Sequence, residues 1–235
     1  MANAALASRK DARDAVRAAR TAFAGWSRAT AYNRGQILYR LAEMLESRRS
    51  AFADVTGDTG EVDAAIDRWV WYAGWADKIA QVLGSSNPVA GAYFNFTVPE
   101  PTGVVAVLAP EEPPLLGLVT RLLPPLVGGN AVVAVASESR PLAAIELAEA
   151  LATSDVPGGA VNLLTGRRAE LAPWLASHMD VNALDLTGAD GDVADLERAA
   201  AANVKRVVRG AADGQSPWEV ARFLELKTVW HPIGV

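Results

Sequence analysis

Apolar residues recur every three or four positions through the first third of the chain, which predicts three amphipathic helices. The first runs from Arg9 to Ala24 on Ala12, Ala15, Val16, Ala19 and Phe23, and the second from Asn33 to Val55 on Ile37, Leu38, Leu41, Leu45 and Phe52. Gly57 and Gly60 punctuate the pattern before a third helix, Glu61 to Leu83, which carries Trp69, Trp71, Tyr72 and Trp75. The period then changes to two. Tyr93, Asn95 and Thr97 alternate with Phe94, Phe96 and Val98, as in a half-buried strand. From Gly103 onward, short β-branched runs alternate with helical stretches. Strands are predicted at Val104–Leu108, Ala131–Val135, Val161–Leu164, Val181–Leu186 and Val204–Val208, with helices near 115–127, 141–152, 167–177 and 192–202 between them. Strands that are apolar throughout and separated by helices predict an α/β fold with a doubly wound parallel sheet, covered on both faces.

Beyond Val208 the alternation stops. Residues 209–217 are polar and contain glycine, so they read as a linker, and Trp218–Phe223 fits a short helix. Leu224, Leu226, Thr228 and Trp230 then alternate with Glu225, Lys227 and Val229, which predicts one isolated strand. A lone strand needs a sheet to join; if none is free in this chain, the partner is another chain. The cluster of tryptophans on the third helix fits a packed core or a subunit contact better than a ligand-stacking platform.

Composition narrows the chemistry. Of 235 residues, 51% are hydrophobic, and 22 Lys and Arg stand against 27 Asp and Glu for a net charge of −5. With no basic block, this argues against nucleic acid as a partner. The most apolar stretch, Gly103 to Ala136, is interrupted by Glu111, Glu112, Arg121 and several prolines, so no membrane span is expected. A soluble, cytoplasmic protein follows. There is no cysteine, which excludes disulfides, thiolate metal sites and a cysteine nucleophile in these residues. His178 and His231 are the only histidines, too few for a histidine-rich metal centre, so no metal site is expected.

Several stretches together resemble the aldehyde dehydrogenase superfamily. Ala22-Phe23-Ala24-Gly25-Trp26 is similar to its N-terminal helical region, and Glu100-Pro101-Thr102-Gly103-Val104-Val105-Ala106-Val107-Leu108-Ala109-Pro110 to the first strand of its cofactor domain. Leu122 to Val133 resembles the next helix, turn and strand. Pro157 to Gly166 and Leu186-Thr187-Gly188 resemble two turns of the cofactor site, and Leu226-Lys227-Thr228-Val229-Trp230 the family's terminal oligomerisation strand. The resemblance implies helices (9–83) packed on a Rossmann-like sheet (103–208) in one NAD-binding-type domain, 1–208. A linker, 209–217, and an oligomerisation tail, 218–235, would follow. It also implies cofactor contacts at Glu138, Gly166 and Gly188.

The departures from the family pattern set the functional expectation. The family's nucleophilic cysteine belongs to a catalytic domain placed between cofactor domain and tail, where this chain has only the linker. Its general-base glutamate would follow the last sheet strand, where Arg209-Gly210-Ala211-Ala212 stands. Its oxyanion-holding asparagine would fall at Glu112, a carboxylate that repels a developing oxyanion. Glu111 and Glu112 read as a charge pair at a helix start. The family's ribose-binding lysine aligns with Val135, while the companion glutamate is matched by Glu138. After Gly188 come Ala189, Asp190, Gly191 and Asp192, with Asp195 one turn on. These aspartates cap helix N–H groups and repel a pyrophosphate. The expectation is a non-catalytic, structural or regulatory subunit that associates with a complete aldehyde dehydrogenase, or with its own copies, through 224–231. No cofactor is expected, or NAD if the altered site still binds it. The alternatives are an NAD-dependent aldehyde oxidoreductase and an NAD-binding sensor without catalysis.

Overall fold

The computed structural model describes residues 3–210 and 214–234. Ten helices and eight strands occur among the described residues. Helices α1 (Arg9–Arg28), α2 (Ala31–Ser47), α3 (Arg49–Thr56), α4 (Thr59–Ala73) and α5 (Ile79–Leu83) come first, then strands β1 (Ser85–Asn87) and β2 (Tyr93–Pro101). The alternating part follows as β3 (Val104–Leu108), α6 (Pro114–Val127), β4 (Ala131–Val135), α7 (Leu142–Ala152) and β5 (Val161–Leu164). It continues with α8 (Arg168–Ser177), β6 (Ala183–Asp185), α9 (Ala194–Ala201) and β7 (Arg206–Val208). Helix α10 (Pro217–Ala221) and strand β8 (Leu224–Pro232) complete the order.

Strands β3 to β7 form one parallel sheet in the order β5-β4-β3-β6-β7. The chain winds outward from β3 through β4 to β5, then returns to lay β6 against the other side of β3. Both faces are covered, as an all-parallel sheet requires. Val105, Val107, Val132 and Ala134 point into the core shared with α2, α4, α6 and α7. Val104, Ala106, Leu108, Val133 and Val135 meet α1 and α8 on the other face. Trp69 and Tyr72 are fully buried in the first core, and the Trp71 ring tilts against Trp75 at 5.5 Å, so the aromatic cluster is packing.

Several boundaries differ from those predicted, and three of the shifts have a local reason. The second helix breaks at Arg48 (φ −102°, ψ 12°), and that turn lets its guanidinium pair with Glu146 and Glu149 of α7, each at 2.6 Å. The third helix stops at Ala73, where Gly74 lies so close to the Tyr39 hydroxyl that a Cβ would approach within 2.9 Å. Strand β7 starts at Arg206, not Val204. Val204 adopts φ 57°, and Lys205 turns inward to donate to the His178 carbonyl at 2.7 Å. Strand β6 is confined to Ala183–Asp185.

The larger correction concerns the tail. Strand β8 is not isolated: it pairs antiparallel with β2 of the same chain over nine residue pairs, from Tyr93 opposite Pro232 to Pro101 opposite Leu224, while β1 takes the other side of β2. The partner of β8 could not be read from periodicity, because β2 is longer than its alternating segment and runs on through Pro99 to Pro101. The linker is also shorter than read, since Pro217 opens α10 with Ser216 accepting from the Trp218 N–H at 3.2 Å. Ala211 and Ala212 lie outside the described residues.

The tail is tied to the parallel sheet by buried charge. Arg121 of α6 is 1% exposed; its Nε donates to Asp185 Oδ2 of β6 at 2.8 Å and its Nη1 to Glu219 Oε2 of α10 at 2.9 Å. Burial alone would lower the arginine pKa, and the two carboxylates more than reverse it. Truncating Arg121 strands two carboxylates in the core, a change that costs about 3–5 kcal/mol. Arg121→Ala should therefore lower the urea midpoint steeply, and a midpoint within experimental error of the unaltered protein would show the cluster to be dispensable.

Candidate functional site

Open α/β sheets take ligands at the carboxyl ends of their strands, where the winding direction reverses. Here that place lies between β3 and β6. A crevice of about 350 Å³ opens there, with Leu108, Ala172, Pro173 and Leu196 as its apolar walls and Glu111, Glu138, Arg168 and Asp190 as its polar groups.

Its centre is Arg168, at the first position of α8 and 9% exposed. Nη1 donates to the Gly188 carbonyl at 2.8 Å and Nη2 to the Ala109 carbonyl, so one guanidinium bridges the turns that follow β6 and β3. Nη2 also lies 2.7 Å from Glu111 Oε1, and Asp190 Oδ2 stands 3.4 Å from Nη1. Nε is buried with no partner.

Glu111 is held from the other side by the loop after β4. It accepts from the Glu138 and Ser139 N–H groups, both at 3.1 Å, and from the Ser137 and Ser139 hydroxyls, both at 2.8 Å. Burial pushes its pKa up, but these hydrogen bonds outweigh burial and bring it down to about 2. Glu111 is therefore no helix-start charge. The N-terminus of α6 is capped instead by Glu61 of α4, whose Oε1 accepts from the Leu115 and Leu116 N–H groups at 2.7 and 2.9 Å. Glu112 points away and pairs with Arg140 at 3.2 Å.

The three residues expected to contact a cofactor fall in different places. Glu138 lines the crevice, but its Oε2 accepts from the Arg168 N–H at 3.1 Å and caps α8. Gly188 forms the turn beside the crevice and could be no other residue. A Cβ there would come within 2.3 Å of the Ala109 carbonyl carbon and 2.4 Å of the Leu108 oxygen. Its N–H already donates to the Leu108 carbonyl at 3.1 Å. Gly166 lies at the β5–α8 turn, where its Cα faces Ala7 and not the crevice. Val135 is fully buried at the end of β4. Asp192 caps the start of α9 through the Ala194 N–H at 2.9 Å, as expected, whereas Asp190 turns to Arg168. Sequence reasoning missed Arg168 altogether, placing it only within the helix near 167–177.

The two histidines have structural surroundings. His178 ends α8, where its Nδ1 accepts from the Asp180 N–H at 3.2 Å and burial lowers its pKa. His231 sits in β8 opposite Phe94. Among the described residues, no cluster of ligating side chains could hold a metal ion, and no helix is long and apolar enough to cross a membrane.

A sheet wound outward from a central strand, with its crevice at the reversal point, places this chain among the Rossmann-like dinucleotide-binding folds. It belongs to the aldehyde dehydrogenase family, whose model matches residues 1–231. Among curated relatives, the cytosolic aldehyde dehydrogenase 1 of Elephantulus edwardii is 34% identical over 216 residues, covering 86% of this chain and 42% of the relative. The mitochondrial aldehyde dehydrogenase of Rattus norvegicus is 35% identical over 225 residues, covering 89% and 42%. Betaine aldehyde dehydrogenase from Staphylococcus aureus, solved in complex with NAD+, superposes with a TM-score of 0.79 at 28% identity over 87% of this chain and 42% of that one. PnpE from Pseudomonas sp. WBC-3 gives 0.81 at 29% identity, over 89% and 44%. The chain thus spans less than half the length of these relatives.

The hydrogen bonds to Glu111 have a pH signature. Its carboxylate is held well below the ordinary value of 4.5, so the stability it contributes is complete above that value and is lost as pH falls toward about 2. Glu111→Gln should cost about 2 kcal/mol at neutral pH, a figure reduced for its partial exposure, and the gap to the unaltered protein should close between pH 4.5 and 2. Urea titrations at several pH values check this. A constant gap down to pH 2 would show that Glu111 is not the group that titrates.

Proposed function

We propose that this chain acts as a non-catalytic member of the aldehyde dehydrogenase family, a structural or regulatory subunit that works in the cytoplasm beside a complete aldehyde dehydrogenase. The observation that carries the reading is chemical: covalent aldehyde oxidation needs a thiol nucleophile, and this chain contains no cysteine. At the position where the family resemblance expects the oxyanion asparagine stands Glu112, a carboxylate engaged with Arg140. Between β7 and α10 only residues 209–216 intervene, where the resemblance places a catalytic domain. On this reading 1–208 is a cofactor-type domain, 209–217 the connection and 218–235 the oligomerisation tail.

The cofactor chemistry points the same way. A dinucleotide pyrophosphate carries two negative charges and seeks free N–H groups. In the crevice three carboxylates, Glu111, Glu138 and Asp190, surround one guanidinium, and the N–H groups of Gly188, Arg168 and Ala194 are already taken. These residues do not fit a pyrophosphate. The second reading, an NAD-binding sensor without catalysis, draws on Glu138 and Gly188, which flank the crevice.

Association is supported by the sheet β1-β2-β8. It exposes Tyr93, Leu226 and Trp230 on one face, Phe94 and Val229 on the other, and among the described residues no strand pairs with the outer edge of β8. Such an edge can extend the sheet of another chain, either a complete enzyme or a second copy.

Purified alone, the chain should produce no NADH from aldehydes. Steady turnover that survives removal of contaminating enzyme would overturn the non-catalytic reading. Assembly is read separately, by light scattering with and without the cell's complete aldehyde dehydrogenase. Leu226→Glu with Trp230→Glu leaves the buried Phe223 and Leu224 intact and should abolish the added mass. Identical masses for both forms in every mixture would remove the partner role.

A further inference from the structure

We propose that Arg168 is a built-in occupant of the strand-end floor of the crevice between β3 and β6, a plug that keeps nucleotides off the turns after those strands while about 350 Å³ stays open beside it. This deepens the reading of an altered cofactor crevice and rests on it. The altered charges described above weaken attraction for an anion; the plug acts by another route, because its guanidinium occupies the strand-end position against the Ala109 and Gly188 carbonyls.

Four observations carry the inference. The Arg168 side chain leaves the first turn of α8 and crosses the mouth of the sheet, and it does not extend to solvent: the residue is nine-tenths buried in a place whose neighbours, Glu138 and Asp190, line an open crevice. Its guanidinium is received by the groups that edge the strand ends, namely the carbonyls of Ala109 after β3 and Gly188 after β6. The cradle that receives it is itself braced, since Glu111 pairs with the guanidinium on one oxygen while the 137–139 loop holds that carboxylate through four hydrogen bonds. Yet Nε remains buried without a partner, so the plug is imperfectly satisfied. A buried donor left unpaired carries a desolvation cost that removing the side chain would relieve.

The alternative role for a buried arginine at this place is that of an anion ligand, and the two roles predict opposite signs. If Arg168 recruits phosphate, losing it weakens nucleotide binding. If it occupies the strand-end floor, losing it strengthens binding even though a positive charge has gone.

The test keeps charge under control by working in an Asp190→Ser background, because that side chain is 85% exposed and its replacement leaves the core untouched. NAD is titrated calorimetrically into the unaltered full chain, Asp190→Ser, and Arg168→Gly with Asp190→Ser. Circular dichroism and thermal melts accompany each protein, and Arg168→Ala in the same background provides a second route to an open strand-end floor. The expected result is no saturation for the unaltered chain and affinity at least about tenfold tighter for the plug-free double variant than for Asp190→Ser alone. Equal or weaker binding by a folded plug-free variant overturns the proposal, as does tight binding by the unaltered chain. Loss of the cooperative melt in both plug-free variants would make Arg168 a keystone of the fold, not a displaceable occupant, and overturns it equally. Turnover of aldehyde is read separately and bears only on the non-catalytic reading, so the two can fail independently.

Discussion

One buried guanidinium shared by two buried carboxylates is the constraint on which the arrangement of this chain turns. Arg121 could not be buried without counter-charges, and Asp185 and Glu219 could not be buried without Arg121. Their mutual need brings α6, β6 and α10 to a common point. Asp185 extends that influence: its second oxygen accepts from the Thr187 N–H at 2.9 Å, which shapes the turn carrying Gly188. The Gly188 carbonyl in turn receives Arg168. A single carboxylate therefore joins the anchoring of the tail to the geometry of the crevice.

The crevice shows a cofactor-type fold whose strand ends are engaged by the chain's own groups. The sheet, the reversal point and the close approach of Gly188 to Ala109 are those of a dinucleotide-binding architecture. What differs is which groups the strand ends satisfy. Backbone carbonyls accept from the chain's own arginine, and helix N–H groups donate to the chain's own Glu138 and Asp192. On the proposed reading, each of these internal bonds takes up a group that a phosphate would otherwise use.

Much of the fold was legible in the sequence because burial on both faces forces strands to be apolar throughout, and β3 and β4 match their predicted limits residue for residue. Amphipathic period located the early helices but not their breaks, since Arg48 and Gly74 are set by partners on other elements, Glu146, Glu149 and Tyr39. The pairing of β8 with β2 was invisible for a similar reason: periodicity reports which face of a strand is buried, never which strand lies beside it. In the candidate site, Glu138 and Gly188 came from the family resemblance, and both lie at the crevice. Arg168 could not be placed, because nothing in the identity of an arginine beside another arginine says that one will be folded inward. Only the geometry of three separate turns decides it.

The long reach of the β2–β8 pairing bears on the order in which this chain can fold. Thr97 and Thr228 face each other across the ladder but lie 131 residues apart in sequence. During synthesis β2 emerges early, with Tyr93 and Phe94 on opposite faces and only the three-residue β1 to pair with. It waits while the whole parallel sheet is made. Contacts closed over so long a loop form late, and an unpaired apolar strand is in the meantime open to any other edge it meets. A ribosome-bound chain thus carries β2 without its β8 partner while the 131 positions from Thr97 to Thr228 are made. Neighbouring nascent chains on one message would meet through that segment before either had completed its own sheet.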